Sequence, residues 1–313
     1  MDKNIKELFE IYINECQYTR RLRPQTVTGY QAVFHHFTNM MPEVTSPRTL
    51  TVERLNEFFV RICKRERIIG KNTKKIGLTI STIHTYGRKL NAFFEWLVLR
   101  EFFPENPLDK IKLPRPEYTD SRALRKVEVE KILAAVTLRS YNSLILRRDN
   151  AIVSALLFCG IRAGELVALQ VRDVDLIKQT ITIRGETSKS KKTRILHIHP
   201  TFMLHLREYF AERIKHRYRT PSLFVSNNVD SGLTKEGMKH WVKRMIEKSG
   251  VKFHLHRFRH TFATSLGNEG VSPLKIQKLM GHADIKMTMV YLRSLMAEDM
   301  EDDINKLSID NLM

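Results

Sequence analysis

The sequence predicts a mainly helical chain with one small β-sheet, arranged as an N-terminal helical bundle followed by a mixed α/β domain. Three observations carry this. Four apolar stripes at helical spacing precede residue 105. A proline-containing stretch from Phe103 to Pro116 interrupts the helical pattern. Beyond it, Thr180 to Ile183 and Ile195 to Ile198 read as two short strands set among helical segments.

The first stripe runs from Asn4 to Tyr18, with Ile5, Leu8, Phe9, Tyr12 and Ile13 on one face. Pro24 opens the second, which carries Val27, Tyr30, Val33, Phe34 and Phe37. Thr51 is the expected N-cap of the third, with Leu55, Phe58, Phe59 and Ile62. Ser81 or Thr82 is expected to begin the fourth, with Ile83, Tyr86, Leu90, Phe93, Phe94 and Leu97. Four helices that each bury one face make a small bundle, and Trp96 with the Phe pairs is expected in its core. The basic stretch Lys64 to Lys75 reads as a loop, either simply solvated or touching phosphate. Residues 108–120 read as a linker, extended and basic at Leu113-Pro114-Arg115-Pro116, because prolines block helix and bias their neighbours to extended backbone. The second domain is expected over residues 121–313. Its helices are read at Val127 to Val136, Ser143 to Phe158, Thr201 to His216, Lys235 to Glu247, Leu255 to Asn268 and Pro273 to Leu279. The last residues, 297–313, form an acidic tail with Ile304, Leu307, Leu312 and Met313 at roughly helical spacing.

Composition narrows the function class. The chain has 313 residues, 42% of them hydrophobic, enough for ordinary cores. No run is long and apolar enough to span a bilayer, and the N-terminus lacks the pattern of a secretory signal. A cytoplasmic, membrane-free protein is therefore expected. Cys16, Cys63 and Cys159 are scattered, which argues against a disulfide framework or a structural zinc site. The net charge is +19. Residues 1–120 carry +6, the tail −5, and residues 121–296 the remaining +18. Such an excess favours a polyanionic partner, most simply nucleic acid.

Four short segments offer chemistry suited to a phosphodiester. Cations must hold the nonbridging oxygens, a nucleophile must attack in line, and an acid must protonate the leaving oxygen. Arg162 lies in Gly160-Ile161-Arg162-Ala163-Gly164-Glu165-Leu166, directly after a buried helix; the plain alternative is a surface Arg paired with Glu165. The turn Thr187 to Arg194 carries Lys189, Lys191 and Lys192, or is only a solvated hairpin tip. In His254-Leu255-His256-Arg257-Phe258-Arg259-His260, a helix puts His256 and Arg259 on one face. A basic DNA-facing helix without catalysis, or a histidine metal site with His282, are the alternatives there. Leu279-Met280-Gly281-His282 is followed nine residues later by Tyr291, which by itself reads as packing.

Their order along one domain is informative: Arg, Lys turn, His-x-x-Arg, Gly-His, Tyr. In this order, and in the strings Gly-Ile-Arg-Ala-Gly-Glu-Leu, Arg-His-Thr-Phe-Ala-Thr and Leu-Met-Gly-His, the chain resembles the tyrosine recombinase (phage integrase) family, nearest its Xer-like and mobile-element branch. The resemblance covers the whole chain. It implies a SAM-like core-binding bundle over residues 1–107 and a tyrosine recombinase catalytic domain over residues 121–313, together clamping double-stranded DNA. It implies that Arg162 and Arg259 bind the scissile phosphate and that Tyr291 attacks it, leaving a 3′-phosphotyrosyl enzyme. Lys189 would protonate the leaving 5′ oxygen, with Lys191 and Lys192 as neighbours that hairpin register leaves open. His256 would assist at the nucleophile, His282 would hydrogen-bond a nonbridging oxygen, and Glu165 would orient the site. His260 has no assigned role and is read as structural.

The implied enzyme needs no cofactor and no metal. It would act as a homotetramer, or a heterotetramer with a second recombinase, through a Holliday junction. The tail over residues 297–313 would dock between protomers. The bundle is expected to begin by residue 4, without the arm-binding domain of many phage integrases, which favours action at short inverted core sites. Two other readings share part of this pattern. A type IB topoisomerase uses the same chemistry to relax DNA, and a non-catalytic DNA-binding regulator keeps the fold but loses a catalytic residue.

Overall fold

The computed structural model describes residues 3–69, 73–114, 116, 123–138, 142–188, 190–227 and 229–292. Lys189 and the tail over residues 297–313 lie outside the described residues. The chain divides into two compact units, Met1–Thr119 and Asp120–Met313.

The first unit is a helical bundle with a small hairpin. Its helices are α1 (Ile5–Asn14, continued by a π-helical turn, Glu15–Thr19), α2 (Pro24–Met40), α3 (Val52–Lys64) and α4 (Ile80–Leu99). Each starts where the local chemistry allows. The Asn4 side chain accepts the amide of Lys6, Pro24 occupies the first turn of α2, and Thr51 accepts the amide of Arg54. The cap of α4 is Thr79, which accepts the amide of Thr82; the start expected at Ser81 or Thr82 therefore falls one or two residues earlier, at Ile80. The apolar stripes meet in one core, with Phe9, Phe34, Phe37, Phe58, Phe93, Phe94 and Trp96 all buried. The basic stretch read as a loop holds an antiparallel hairpin, β1 (Glu66–Ile69) with β2 (Thr73–Ile76). Its strands are only four residues each and their described side chains are mostly exposed, so no apolar alternation announced them. Leu108, in the 3₁₀ turn Pro107–Lys110, is buried in the bundle core, and Ile111 and Leu113 pack against it. The first residues of the expected linker thus belong to the bundle.

The second unit is built on α6 (Ser143–Cys159), preceded by α5 (Lys126–Thr137). Ala151, Ile152, Val153, Ser154, Ala155 and Leu156 of α6 are all buried, as in a helix covered on every side. Two elements follow that the sequence did not announce: a short helix α7 (Ala163–Ala168) and a two-residue strand β3 (Val174–Asp175). The expected pair of strands is present as β4 (Thr180–Ile183) and β5 (Arg194–His197), antiparallel, with Ile181 opposite Leu196 and Ile183 opposite Arg194. The sheet order is β3-β4-β5. Among the described residues, five helices complete the unit: α8 (Pro200–Lys215), α9 (Lys235–Ser249), α10 (Leu255–Asn268), α11 (Pro273–Met280) and α12 (Ile285–Leu292), the last of which was not among the expected helices. Among the described residues, no helix is long and apolar enough to cross a membrane.

Candidate active site

Six segments of the second unit meet at one place: the ends of α6 and α11, the start of α7, one face of α10, the first residue of β5, and α12. Two glycines make the geometry possible. Gly160 ends α6 with φ +54°, and a Cβ there would lie 2.2 Å from the ring of Phe262. Gly281 ends α11 with φ +63°, and a Cβ there would lie 2.9 Å from Arg194 Nη1. Each left-handed turn redirects the chain, one toward Arg162 and the other into His282.

Arg259 ties these two turns together. It is 1% exposed, and its guanidinium donates to the carbonyls of Gly160 and Met280, both at 2.5 Å. These carbonyls stand at the C-terminal ends of α6 and α11, where helices leave acceptors unused and the dipole favours a cation. Its Nε is buried without a hydrogen-bond partner among the described residues. Burial, then the nearby charge of Arg162, lowers its pKa to about 10, which still leaves it charged at neutral pH.

Arg162 is the N-cap of α7. Glu165, three residues on, accepts the backbone amide of Arg162 at 3.0 Å and also its Nη1 at 3.0 Å. The same carboxylate accepts Nη2 of Arg194 at 2.8 Å, Nη1 of Arg194 at 3.3 Å, and the hydroxyl of Ser188 at 3.2 Å. Burial opposes ionisation of Glu165, but the hydrogen bonds and charges of Arg194 and Arg162 outweigh it and hold the carboxyl at about 2. Among the described residues, one carboxylate, Glu165, stands against the three guanidinium groups of Arg162, Arg194 and Arg259. The site therefore keeps surplus positive charge in a mostly buried place, an arrangement that favours an anion.

Tyr291 sits on α12 with its ring buried and its hydroxyl 3.1 Å from Nε2 of His256, an exposed residue on α10. Three imidazoles wall the phenol. Ring centroids lie 4.2 Å away for His260, 5.4 Å for His282 and 6.0 Å for His256. These histidines surround a ring rather than converge on a point. Among the described residues, no group of three or more His, Cys, Asp or Glu is arranged to hold a metal ion.

His282 is buried, with Nδ1 2.8 Å from the hydroxyl of Thr288 and Nε2 unpartnered among the described residues. Burial, then the charges of Arg259 and Arg162, lowers its pKa to about 3, so the ring is neutral. The 2.8 Å contact fits either direction of donation; in the tautomer where the Thr288 hydroxyl donates to Nδ1, the proton resides on Nε2, which is then a donor for an anion.

Arg162, Glu165, His256, Arg259, His282 and Tyr291 are thus gathered in one place. Lys189 lies outside the described residues, whereas Ser188 before it is buried and bonded to Glu165, and Lys191 and Lys192 after it are exposed. The sequence reading missed the contribution of Arg194, whose Nε also donates to the carbonyl of Leu279 at 3.0 Å. A signal existed. Side chains alternate along a strand, so Arg194 shares the inward face with buried Leu196, a polar residue where an apolar one is due. Thr288 and the packing of His260 on Tyr291 had no sequence signal.

Comparison with known proteins covers nearly the whole chain. Residues 122–298 match the model of the phage integrase family. The tyrosine recombinase XerD of Listeria monocytogenes is 29% identical over 297 residues, which cover 92% of this chain and 94% of that one. The Tn1549 transposon integrase, solved in complex with a circular intermediate DNA, is 19% identical with a TM-score of 0.74, covering 92% of this chain and 94% of that one. A lambda integrase tetramer bound to a Holliday junction is 15% identical with a TM-score of 0.70, covering 93% of this chain and 77% of that one. The two solved structures are similar in fold.

Proposed function

The chain belongs to the phage integrase family of tyrosine recombinases, and from that premise we propose that it cleaves and rejoins DNA at short inverted core sites through a 3′-phosphotyrosyl intermediate and a Holliday junction. The observation that carries this reading is the 3.1 Å approach of the Tyr291 hydroxyl to His256 beside buried Arg259 and half-buried Arg162.

Each group has a role in the exchange. Arg162 and Arg259 bind the nonbridging oxygens of the scissile phosphate, where a planar guanidinium matches the geometry and stays charged. Neutral His282 adds a hydrogen bond from Nε2. The phenol oxygen of Tyr291 attacks phosphorus, and its proton passes to His256. The bond from phosphorus to the 5′ oxygen breaks, and Lys189 gives that oxygen its proton. The energy of the broken bond is kept in the phosphotyrosine, so a 5′-hydroxyl of the second strand reverses the step without a nucleotide cofactor. Two arginines and a lysine supply the charge that a metal supplies in other phosphoryl-transfer sites. Glu165 orients Arg162.

The basic bundle over residues 1–107 and the catalytic domain over residues 121–313, joined by residues 108–120, are each expected to contact the DNA. The reaction is expected in the cytoplasm, in a homotetramer or a heterotetramer with a second recombinase. Integration or excision of an element and resolution of replicon dimers all use this chemistry.

The test is covalent trapping. A nicked suicide duplex built on the site that the full chain selects from a random-sequence pool should give a detergent-stable adduct with the wild type. Tyr291→Phe should bind the same duplex and give none. An adduct in Tyr291→Phe overturns the assignment. Repeated relaxation of a plasmid that lacks the site, without recombination of one that has it, would make the chain a topoisomerase instead.

A further inference from the structure

We propose that Arg194 is a positioning residue that keeps the guanidinium of Arg162 available to the scissile phosphate by occupying the carboxylate of Glu165. This rests on the recombinase reading of the site. Arg194 begins β5, and its side chain is only 9% exposed. It meets both oxygens of Glu165, with Nη2 at 2.8 Å and Nη1 at 3.3 Å, and its Nε holds the last turn of α11 through Leu279. The guanidinium of Arg162 meets the same carboxylate through Nη1 alone, beside the bond from its backbone amide. A guanidinium has five N–H donors, so this leaves Arg162 most of its donors and, because Arg194 balances Glu165, its charge.

The consequence of removing Arg194 follows from burial. Glu165 is 2% exposed, and a buried carboxylate that loses a bidentate partner must find another cation or take a proton. The nearest cation bonded to it is Arg162. A two-pronged pair between Glu165 and Arg162 would turn the guanidinium away from the phosphate and neutralise its charge. Arg194 also braces the Gly281 turn, where its Nη1 would lie 2.9 Å from an added Cβ. One side chain thus joins the strand after the lysine turn, the carboxylate that holds Arg162, and the turn that delivers His282.

The test compares two substrates and two variants on the selected duplex. One duplex carries the ordinary scissile phosphodiester. The other carries a methylphosphonate there, which lacks the charge that a guanidinium neutralises. In single turnover, Arg194→Gln should cleave the phosphodiester more slowly by a factor on the order of 100, the scale of a misplaced transition-state contact. Its loss on the methylphosphonate should be under about tenfold, since the missing charge contact matters less there. The ratio of the two rates cancels any difference in folded fraction between preparations. Adding Glu165→Gln to Arg194→Gln should restore phosphodiester cleavage by about threefold or more, because a neutral amide no longer captures Arg162. Equal losses on both substrates, or a double variant no faster than Arg194→Gln, would make Arg194 merely structural and overturn the proposal. Cleavage by Arg194→Gln near the wild-type rate would overturn it as well. A wild type that cleaves neither duplex overturns the recombinase reading, and this inference with it.

Discussion

The hydroxyl of Tyr291 lies 3.1 Å from Nε2 of His256, across 35 residues of sequence, and this contact joins α12 to α10 at the point where a nucleophile would lose its proton. A positioned acid or base commonly contributes a factor of roughly 10² to 10⁴. His256→Ala should therefore slow single-turnover cleavage by about 100-fold or more while leaving duplex binding near wild type. A variant that cleaves as fast as the wild type would remove His256 from the proton path.

The surplus charge of the site predicts a graded response to arginine loss. Arg162→Ala and Arg259→Ala should each slow cleavage by a factor on the order of 100 or more, as loss of one transition-state donor does. Arg259→Ala should also lower thermal stability, because the carbonyls of Gly160 and Met280 lose their buried partner. A 5′-thio leaving group needs little protonation, so it should rescue Lys189→Ala and leave Arg162→Ala slow. Rescue of Lys191→Ala or Lys192→Ala instead would move the acid along the hairpin.

Salt should weaken DNA binding steeply. With a net charge of +19 the chain is expected to displace many counterions, giving a log–log slope of about −0.9 per phosphate contact. A nearly flat salt titration by fluorescence anisotropy would contradict a clamp of two basic domains. Cleavage should proceed unchanged in chelator; loss that magnesium restores would require a metal in the mechanism.

Acid should destabilise the second unit in two stages. The pKa of His282 is depressed from 6.5 to about 3, so an unfolded chain takes up this proton first as pH falls below 6.5. Stability is present above 6.5 and is lost progressively toward 3. Glu165 is depressed from 4.5 to about 2, so its contribution holds above 4.5 and is lost as pH falls toward 2. The variant His282→Asn should therefore lose less Tm than the wild type between about pH 7 and about pH 5, whereas Glu165→Gln should differ in slope only at lower pH. Parallel Tm curves for His282→Asn and wild type across the upper window would refute the neutral, buried histidine.

The acidic C-terminal segment is expected to mediate assembly. Its apolar residues Ile304, Leu307, Leu312 and Met313 need a surface to cover them if they form one helical stripe. Deletion of residues 297–313 should leave single-site binding near wild type and reduce pairing of two sites in a gel-shift assay. Recombination at the wild-type rate by the truncated chain would show that the segment is no assembly device.

What the sequence determined by itself is local. Helical stripes such as Leu55, Phe58, Phe59 and Ile62 place a helix and its buried face because neighbours three and four apart share a side. The alternation in Thr180 to Ile183 places a strand with Ile181 and Ile183 inward. The hairpin at Glu66–Ile76 escaped notice because its described side chains bury little and leave no periodic trace. The order of Arg162, His256, Arg259, His282 and Tyr291 was readable as a family resemblance, since it depends only on residue type and spacing. Tertiary structure alone decided which distant groups satisfy them. Arg259 reaches carbonyls 99 and 21 residues away, and Glu165 is shared between Arg162 three residues before it and Arg194 29 residues after it. A buried charge must find its partner wherever packing brings one, and that partner is set by the meeting of helix ends and a strand edge, which no spacing along the chain encodes.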